Sequence, residues 1–253
     1  MRVLEVKNLS AYYGKKCVFE NISFNLESGS FTALCGKNGS GKSTLLTLIS
    51  GIVPGGLSFE GEVLFDGESV FKMKRKDAAK KISLLLQEEN PVWNMSVSQF
   101  VETGLYPFGE MTKTQRDKII DEALSKIGIA DFSDKKIFNI SGGEFQKCRL
   151  ARSFVQGSPL MLFDEPSDKL DYSFQQSFLR ETKELDKTIL FSIHDINTAS
   201  IFAEDFLLLC DGKIIRGKRD EIFKEEILSK TFCARVRIFN HPVLNVPQVC
   251  FDF

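Results

Sequence analysis

Residues 36–43 constrain the fold of this chain more than any other segment. They match the pattern G-x-x-x-x-G-K-[ST] and lie between an apolar run at 31–35 and a segment of helical spacing that begins at Ser43. In such a strand-loop-helix unit, glycines let backbone N–H groups approach phosphate oxygens, and the helix N-terminus adds unsatisfied donors. The segment therefore predicts an α/β protein that binds a nucleotide.

Two side chains of this loop have predicted roles of their own. Lys42 supplies a mobile positive charge for the β- and γ-phosphates of ATP, and the Ser43 hydroxyl is suited to hold Mg²⁺. A Gly/Ser-rich loop that merely precedes a helix is the alternative, but a chance match in 253 residues is on the order of one per cent. The other predicted nucleotide contacts in the loop are Gly36, Asn38, Gly39, Ser40, Gly41 and Thr44.

Apolar runs elsewhere predict a mostly parallel sheet. Residues 160–163 and 188–193 are continuous apolar segments that alternate with helical segments near 172–185 and 195–204. Strands of this kind are buried on both faces, as in a parallel sheet covered by helices. An apolar hairpin at 206–215 follows them.

Two other regions differ from this pattern. Residues 2–7 and 22–26 alternate between apolar and polar, which predicts an antiparallel meander that continues into the strand at 31–35. Between about 95 and 135 the strand signals stop, and residues 113–128 place apolar side chains on one face of a helix. The sequence therefore predicts a helical insert in an α/β domain.

Composition excludes several classes of protein. Lys and Arg total 33 against 34 for Asp and Glu, so the net charge of -1 argues against binding nucleic acid through bulk positive charge. No run approaches the roughly 18–20 apolar residues needed to cross a bilayer, and the N-terminus lacks a secretory signal. The six cysteines include no CxxC pair and are predicted to be buried free thiols in a reducing compartment. We therefore expect a cytoplasmic protein, or one attached to a membrane through partners.

Two adjacent carboxylates, Asp164 and Glu165, follow the apolar run at 160–163. In open α/β sheets, ligands bind beyond the carboxyl ends of the strands, and buried acids are costly unless they serve a cation or a reaction. Asp164 is predicted to hold Mg²⁺, directly or through water, and Glu165 to polarise the attacking water as a general base. Acids after a strand can also cap the next helix, but the phosphate loop favours the functional role.

Ser141, Gly142, Gly143 and Glu144 open a predicted helix. Ser-x-x-Glu is a capping box, which satisfies helix-end donors without any ligand. Two consecutive glycines in a first helical turn, however, each cost about 1 kcal/mol relative to alanine. Bare backbone at a helix N-terminus suits the close approach of a phosphate. Because the chain already has one phosphate loop, this segment is predicted to contact ATP held by another molecule.

With these motifs in this order, the chain resembles the ATPase subunits of ABC transporters over nearly its whole length. The resemblance implies four further functional positions. Tyr13, with Tyr12 as the neighbouring option, stacks on adenine, and Gln87 senses Mg²⁺ and couples to a membrane partner. Asp171 belongs to a loop that crosses a dimer interface, and His194 contacts the γ-phosphate. Gln87 and His194 thereby join Glu165 in the predicted catalytic group.

The resemblance also implies an architecture and partners. It implies a P-loop NTPase of the ABC ATPase type, with a mostly parallel core sheet, an N-terminal antiparallel β subdomain and an inserted helical subdomain. One domain would cover residues 1–240, with the insert at about 90–157 and a short C-terminal tail at 241–253. Two copies would sandwich two ATP molecules head to tail on the cytoplasmic face of the cell membrane, where they would move permease subunits.

Weaker sequence matches narrow the type of ABC transporter that the chain resembles. Residues 101–107, Glu144 in place of a common glutamine, and the runs 194–197 and 211–217 are similar to importer ATPases that serve iron-siderophores, haem and cobalamin. Such importers also use a solute-binding protein, which would be an indirect partner. Alternatives are an importer for another solute and a soluble ABC ATPase of cofactor assembly. A metabolite kinase does not explain residues 141–144 or His194.

Three features depart from the family pattern. Lys37 replaces a common proline in the phosphate loop, which loosens the turn and adds a charge near the nucleotide. Ile140 replaces the leucine that usually opens the signature. Asp168 and Lys169 stand where small or hydroxyl residues are frequent in the interface loop.

Overall fold

The computed structural model describes residues 2–168 and 170–252, so Lys169 and its predicted place in the interface loop lie outside the described residues. The strands are β1 (Arg2–Tyr13), β2 (Lys16–Glu27), β3 (Phe31–Gly36), β4 (Leu57–Phe65), β5 (Glu68–Ser69), β6 (Ile82–Leu85), β7 (Leu160–Asp164), β8 (Thr188–Ser192), β9 (Asp205–Cys210), β10 (Lys213–Lys218), β11 (Arg235–Asn240) and β12 (Pro247–Asp252). The helices are α1 (Lys42–Ile49), α2 (Arg75–Lys81), α3 (Val97–Glu102), α4 (Lys113–Lys126), α5 (Gly142–Gln156), α6 (Tyr172–Lys183), α7 (Ile196–Phe202), α8 (Arg219–Ile222) and α9 (Glu225–Phe232).

The central sheet has six strands in the order β10-β9-β3-β8-β7-β6. All neighbouring pairs from β9 to β6 are parallel, and only the hairpin strand β10 is antiparallel. Strands β3, β7 and β8 are buried along their whole length, as continuous apolar runs require in a sheet covered on both faces. The predicted mostly parallel core sheet is confirmed.

The antiparallel sheet has the order β2-β1-β4-β5 and confirms the predicted N-terminal β subdomain. The predicted meander is wrong in one respect, because β3 does not pair with β2 but crosses to the centre of the parallel sheet. The burial patterns explain the difference. β2 alternates between buried and exposed residues, whereas every residue of β3 is buried, which suits a strand with neighbours on both sides.

Two hydrophobic layers flank the central sheet. On one face, Leu34, Leu162 and Leu190 pack with α1 against the antiparallel sheet. On the other face, Ala33 and Phe163 pack against side chains of α3 to α7. Helix α1 is therefore held between two sheets, and this placement fixes the phosphate loop that precedes it.

Helices α3, α4 and α5 lie between β6 and β7 in the chain, in the region predicted to be a helical insert. None of the described helices is both long and apolar enough to span a bilayer.

The last described residues form a hairpin in which β12 pairs with β11. Asn197 in α7 anchors it, since its side-chain amide donates to the Val249 carbonyl (3.0 Å) and its amide oxygen accepts from the Val249 N–H (2.6 Å). Part of the predicted tail at 241–253 is thus a paired strand. The predicted domain boundaries themselves stay a prediction.

Candidate functional site

A cleft of about 440 Å³ opens beside the phosphate loop, at the carboxyl ends of β3 and β7. Residues with a sequence-predicted role make up most of its lining, namely Tyr13, Asn38, Gly39, Gly41, Lys42, Ser43, Thr44, Gln87, Glu165 and His194. Lys16, Cys17 and Val18 complete the lining and were not predicted. They follow Tyr13 around the β1–β2 turn, so only the tertiary structure brings them to the loop.

The glycines of the loop are required by close packing. A Cβ on Gly36 would lie 2.5 Å from the Leu209 carbonyl oxygen, and one on Gly41 would lie 2.5 Å from Val18 Cγ1. Gly41 also has a φ of 105°, a conformation that side chains other than glycine rarely adopt. The loop therefore needs glycine at both positions to pack against β9 and β2.

Lys42 is the buried cation of the cleft, at 5% exposure. Its ammonium donates to the carbonyl oxygens of Gly36 (3.0 Å) and Lys37 (3.2 Å). Burial lowers the pKa of Lys42, while the negative charges of Glu165 and Asp164 act against that shift. The ammonium is therefore held beside the backbone of the loop, where a phosphate group would be a further partner.

Two serines of the loop region complete this part of the site. Ser43 lines the cleft in the first turn of α1. The Ser40 hydroxyl is buried and has no hydrogen-bond partner among residues 2–168 and 170–252. A buried polar atom without a partner is uncommon in native proteins, and a bound ligand is one explanation for it.

Glu165 lies at the centre of a cluster of polar side chains. Its Oε2 atom accepts a hydrogen bond from Gln87 Nε2 at 2.6 Å and lies 2.5 Å from His194 Nε2. Glu165 is 7% exposed and has a φ of 50°, a left-handed conformation that costs a non-glycine residue on the order of 1 kcal/mol or more. The three residues of the predicted catalytic group thus meet at one carboxylate oxygen.

Asp164, the residue before Glu165, is buried and does not line the cleft. In the register of β7 and β8 it pairs with Ser192, whose hydroxyl donates to Asp164 Oδ1 at 2.7 Å. The same hydroxyl accepts from the Glu165 backbone N–H at 2.9 Å. Ser192 was missed by the sequence analysis, although a polar residue near the end of an apolar strand was a signal that could have identified it.

The segment from Ser141 to Glu144 lies outside the cleft lining. The predicted capping box is present, since the Glu144 N–H donates to Ser141 Oγ (3.2 Å) and the Ser141 N–H to Glu144 Oε2 (2.6 Å). The hydrogen bond from the Ser141 backbone lowers the pKa of Glu144. A Cβ on Gly142 would meet no atom within 4 Å in the described part of the chain. Packing among the described residues therefore does not require this glycine.

Asp171 also lies outside the cleft and caps α6, accepting from the Phe174 N–H at 2.9 Å. A hydrogen bond from the Ser173 hydroxyl, at 2.6 Å, lowers the pKa of Asp171. Asp171 is thus ordered by its own helix.

The Lys37 side chain does not line the cleft. The side chain of Cys233, at the C-terminal end of α9, acts on the Lys37 ammonium and raises the pKa of Lys37. The charge introduced by Lys37 therefore lies outside the lining of the cleft.

The chain is similar in sequence and fold to several known proteins. A protein-family model described as "ABC transporter" matches residues 19–168. The iron(3+)-hydroxamate import ATP-binding protein FhuC of Bacillus subtilis strain 168 is 33% identical over 262 residues, covering 100% of this chain and 96% of FhuC. The ferric enterobactin transport ATP-binding protein FepC of Escherichia coli strain K12 is 32% identical, covering 97% of this chain and 93% of FepC. A solved dimeric ATP-binding cassette, in a post-hydrolysis state with ADP and Pi, is similar with a TM-score of 0.76 and 28% identity, covering 85% and 98% of the two chains.

Proposed function

Because the chain belongs to the ABC transporter family of ATPases, we propose that it powers an importer for an iron-siderophore, haem or cobalamin type solute. It would act from the cytoplasmic face of the membrane on partner permease subunits. One observation carries the proposal: along nearly its whole length the chain is similar to the ATP-binding subunits of two iron-chelate import systems.

ATP hydrolysis would take place in the cleft. The phosphate chain would lie on the loop at 36–43, with Lys42 beside the β- and γ-phosphates. Glu165 would take a proton from the attacking water. The oxygen of that water would bond to the γ-phosphorus as the bond between the γ-phosphorus and the β–γ bridging oxygen breaks. Gln87 and His194 support this role, since both reach the same oxygen of Glu165 and fix the direction of its carboxylate.

The donor chemistry of the site fits Mg²⁺. Ser43 and Gln87 line the cleft and offer a hydroxyl and an amide oxygen, which suit this hard cation. Asp164 is buried outside the lining, and its carboxylate would hold the ion through water. Ser192 supports Asp164, because its hydrogen bond orients the carboxylate. When bound, Mg²⁺ would neutralise phosphate charge and orient the phosphate groups.

Adenine binding is proposed for Tyr13. Tyr13 is 41% exposed and lines the cleft, whereas Tyr12 is not among the lining residues. An aromatic ring open to a cleft can stack on a base without sequence-specific hydrogen bonds. Lys16 and Cys17 lie beside it and would contact the same part of the nucleotide.

We further propose that the catalytic unit is a head-to-tail dimer, in which Ser141 to Glu144 of one copy contact ATP held by the other. The open space around Gly142 supports this proposal. A side chain there would meet no atom of the described residues of its own chain, so the glycine is not explained by packing among them. Backbone N–H groups at the start of α5 would face the phosphates, and Asp171 would lie at the same interface.

Transport in cells tests the importer proposal. A strain that lacks the gene should lose uptake of a radiolabelled ferric siderophore, haem or cobalamin. The wild-type chain should restore uptake, and Glu165→Gln should not. In parallel, the wild-type chain should co-purify with a polytopic membrane protein after extraction in mild detergent.

Two outcomes would contradict this assignment. If no membrane subunit co-purifies and no uptake depends on the gene, the chain is a soluble ABC ATPase. If a membrane subunit co-purifies but none of these solutes depends on the gene, the solute class alone is wrong.

A further inference from the structure

Arg149 is a buried cation in α5, 3% exposed, for which the sequence predicted no role. Its guanidinium donates to the backbone carbonyl oxygens of Leu86 and of Gln87, the latter at 3.3 Å. The same guanidinium donates to Gln146 Oε1 at 2.5 Å. Arg149 therefore holds the backbone of the segment that delivers the Gln87 side chain to Glu165.

Gln146 continues this network toward Glu165. Its side-chain amide, which is also buried, donates to the Pro166 carbonyl oxygen at 2.9 Å. Pro166 directly follows Glu165 in the chain. Arg149 and Gln146 thus connect the backbone at Gln87 with the backbone at Pro166, next to Glu165.

Burying the charge of Arg149 costs free energy of desolvation. Burial lowers the pKa of Arg149, and the carboxylate of Glu89, 3.4 Å away, acts against that shift. Arg152 engages Glu89 more closely, through two hydrogen bonds of 2.7 and 2.6 Å. Buried charges persist where their hydrogen bonds are well satisfied. Those of Arg149 go to residues 86–89 and to Gln146, which in turn bonds to Pro166.

We propose that Arg149, acting with Gln146, is a positioning residue for ATP hydrolysis. The pair holds residues 86–87 and 165–166 in a fixed relation, so that Gln87 Nε2 stays on Glu165 Oε2. A planar guanidinium can serve several acceptors at once, which a lysine ammonium cannot reproduce in the same geometry. The inference rests on the proposed role of Glu165 in the hydrolytic step.

Three variants of the full chain test the network. Arg149→Lys and Gln146→Met should lower kcat by about 10-fold or more, because small displacements of catalytic groups are costly. The dissociation constant for ATP should stay within about twofold, because neither residue lines the cleft. Arg152→Met is the matched control, since Arg152 lies one turn later in α5 and bonds to Glu89. In the described part of the chain, no hydrogen bond joins Arg152 to residues 86–87 or 146. Its kcat should stay within about twofold of wild type.

Combining Arg149→Lys with Glu165→Gln distinguishes a role of Arg149 in positioning Glu165 from a general structural role. In that background, Arg149→Lys should cause little further loss of kcat, because the carboxylate that it positions is gone. An equal loss in both backgrounds would overturn the proposal, as would a loss in Arg152→Met that matches the loss in Arg149→Lys. A normal kcat in both Arg149→Lys and Gln146→Met would overturn it as well.

The outcomes also distinguish this inference from the proposed site. If Glu165→Gln hydrolyses ATP normally, the role of Glu165 is wrong and this inference falls with it. If Glu165→Gln is inactive while Arg149→Lys and Gln146→Met are fully active, only the inference fails. Because Gln146→Met introduces no charge, it carries the test if Arg149→Lys does not fold.

Discussion

At the scale of single residues, the site depends on how one carboxylate is held. Glu165 has a left-handed backbone, is buried, and presents Oε2 to both Gln87 and His194. A residue in such a conformation persists only where the surroundings determine it strongly. The hydrogen bond from its backbone N–H to Ser192 is part of that support. The proposed general-base role therefore rests on geometry as well as on residue type.

Glu165→Gln should keep ATP binding and lower turnover by about 10²-fold or more, as loss of a positioned base does. The amide has nearly the same shape as the carboxylate, so the surrounding packing should be kept. Steady-state hydrolysis and ATP titration of the same preparation measure the two effects. Unchanged hydrolysis would remove Glu165 from the catalytic role.

Lys42→Ala should weaken ATP binding itself. Hydrogen bonds to charged groups contribute about 1.5–3 kcal/mol, so the dissociation constant should rise about 10- to 100-fold. Titration with a fluorescent ATP analogue measures this change. Lys118→Ala, which removes an exposed lysine from α4, controls for the loss of one positive charge. Equal affinities in the two variants would contradict the proposed phosphate contact.

At the scale of elements, the sequence predicted where strands and helices occur better than it predicted which strands pair with each other. The phosphate loop and the acid pair are local patterns, so residues 36–43 and 164–165 could be found without the structure. The partner of β3 could not, because alternation and burial define a strand but do not say which strand lies beside it. The predicted antiparallel meander failed for that reason.

The network around Arg149 was missed for a related reason. It joins three separate segments of the chain, namely α5, residues 86–89 and Pro166. No spacing rule connects them. Ser141 to Glu144, by contrast, form a contiguous motif, and their capping box was predicted and is present.

The junction between α5 and the Gln87 segment should depend on pH. Burial alone would raise the pKa of Glu89, but its hydrogen bonds and charge contacts with Arg152 and Arg149 outweigh burial, so the folded pKa lies below the reference value of 4.5. Glu89 therefore stabilises the fold above about pH 4.5, and this contribution is lost as the pH falls through the folded pKa.

The free energy of unfolding of wild type and Glu89→Gln should be compared from neutral pH to below pH 4.5. The advantage of wild type should be largest at the higher pH and should shrink as the pH falls. Glu88→Gln removes the adjacent exposed carboxylate and serves as the control for a change of charge in this segment. An advantage that stays constant across the range would contradict the role given to Glu89.

At the scale of the whole molecule, the proposed active unit needs two copies. The cleft supplies the phosphate loop, Gln87, Glu165 and His194 from one chain, while the start of α5 and Asp171 lie outside its lining. A monomer would therefore bind ATP but lack half of the contacts around it. The dimeric cassette to which this chain is similar agrees with that arrangement.

Gly142→Asp should abolish turnover while ATP binding to the dilute monomer stays intact. The new side chain meets open space within the described residues, and an acidic residue at the start of a helix is favourable, so the fold should be as stable as wild type. Across the dimer interface, however, the carboxylate would face phosphate charge. Sedimentation with ATP, in the Glu165→Gln background that slows hydrolysis, should show the dimer only when Gly142 is kept. Weaker binding to the monomer would instead indicate a folding defect.

The anchoring of β12 on Asn197 has a consequence for how the site forms during synthesis. Asn197 lies three positions after His194, and its side-chain amide is satisfied by the backbone N–H and carbonyl of Val249. On the ribosome, β12 emerges after every other strand of the structure, so the nascent chain can complete the phosphate loop well before α7 gains this support. Nucleotide binding should therefore mature earlier in translation than the placement of His194.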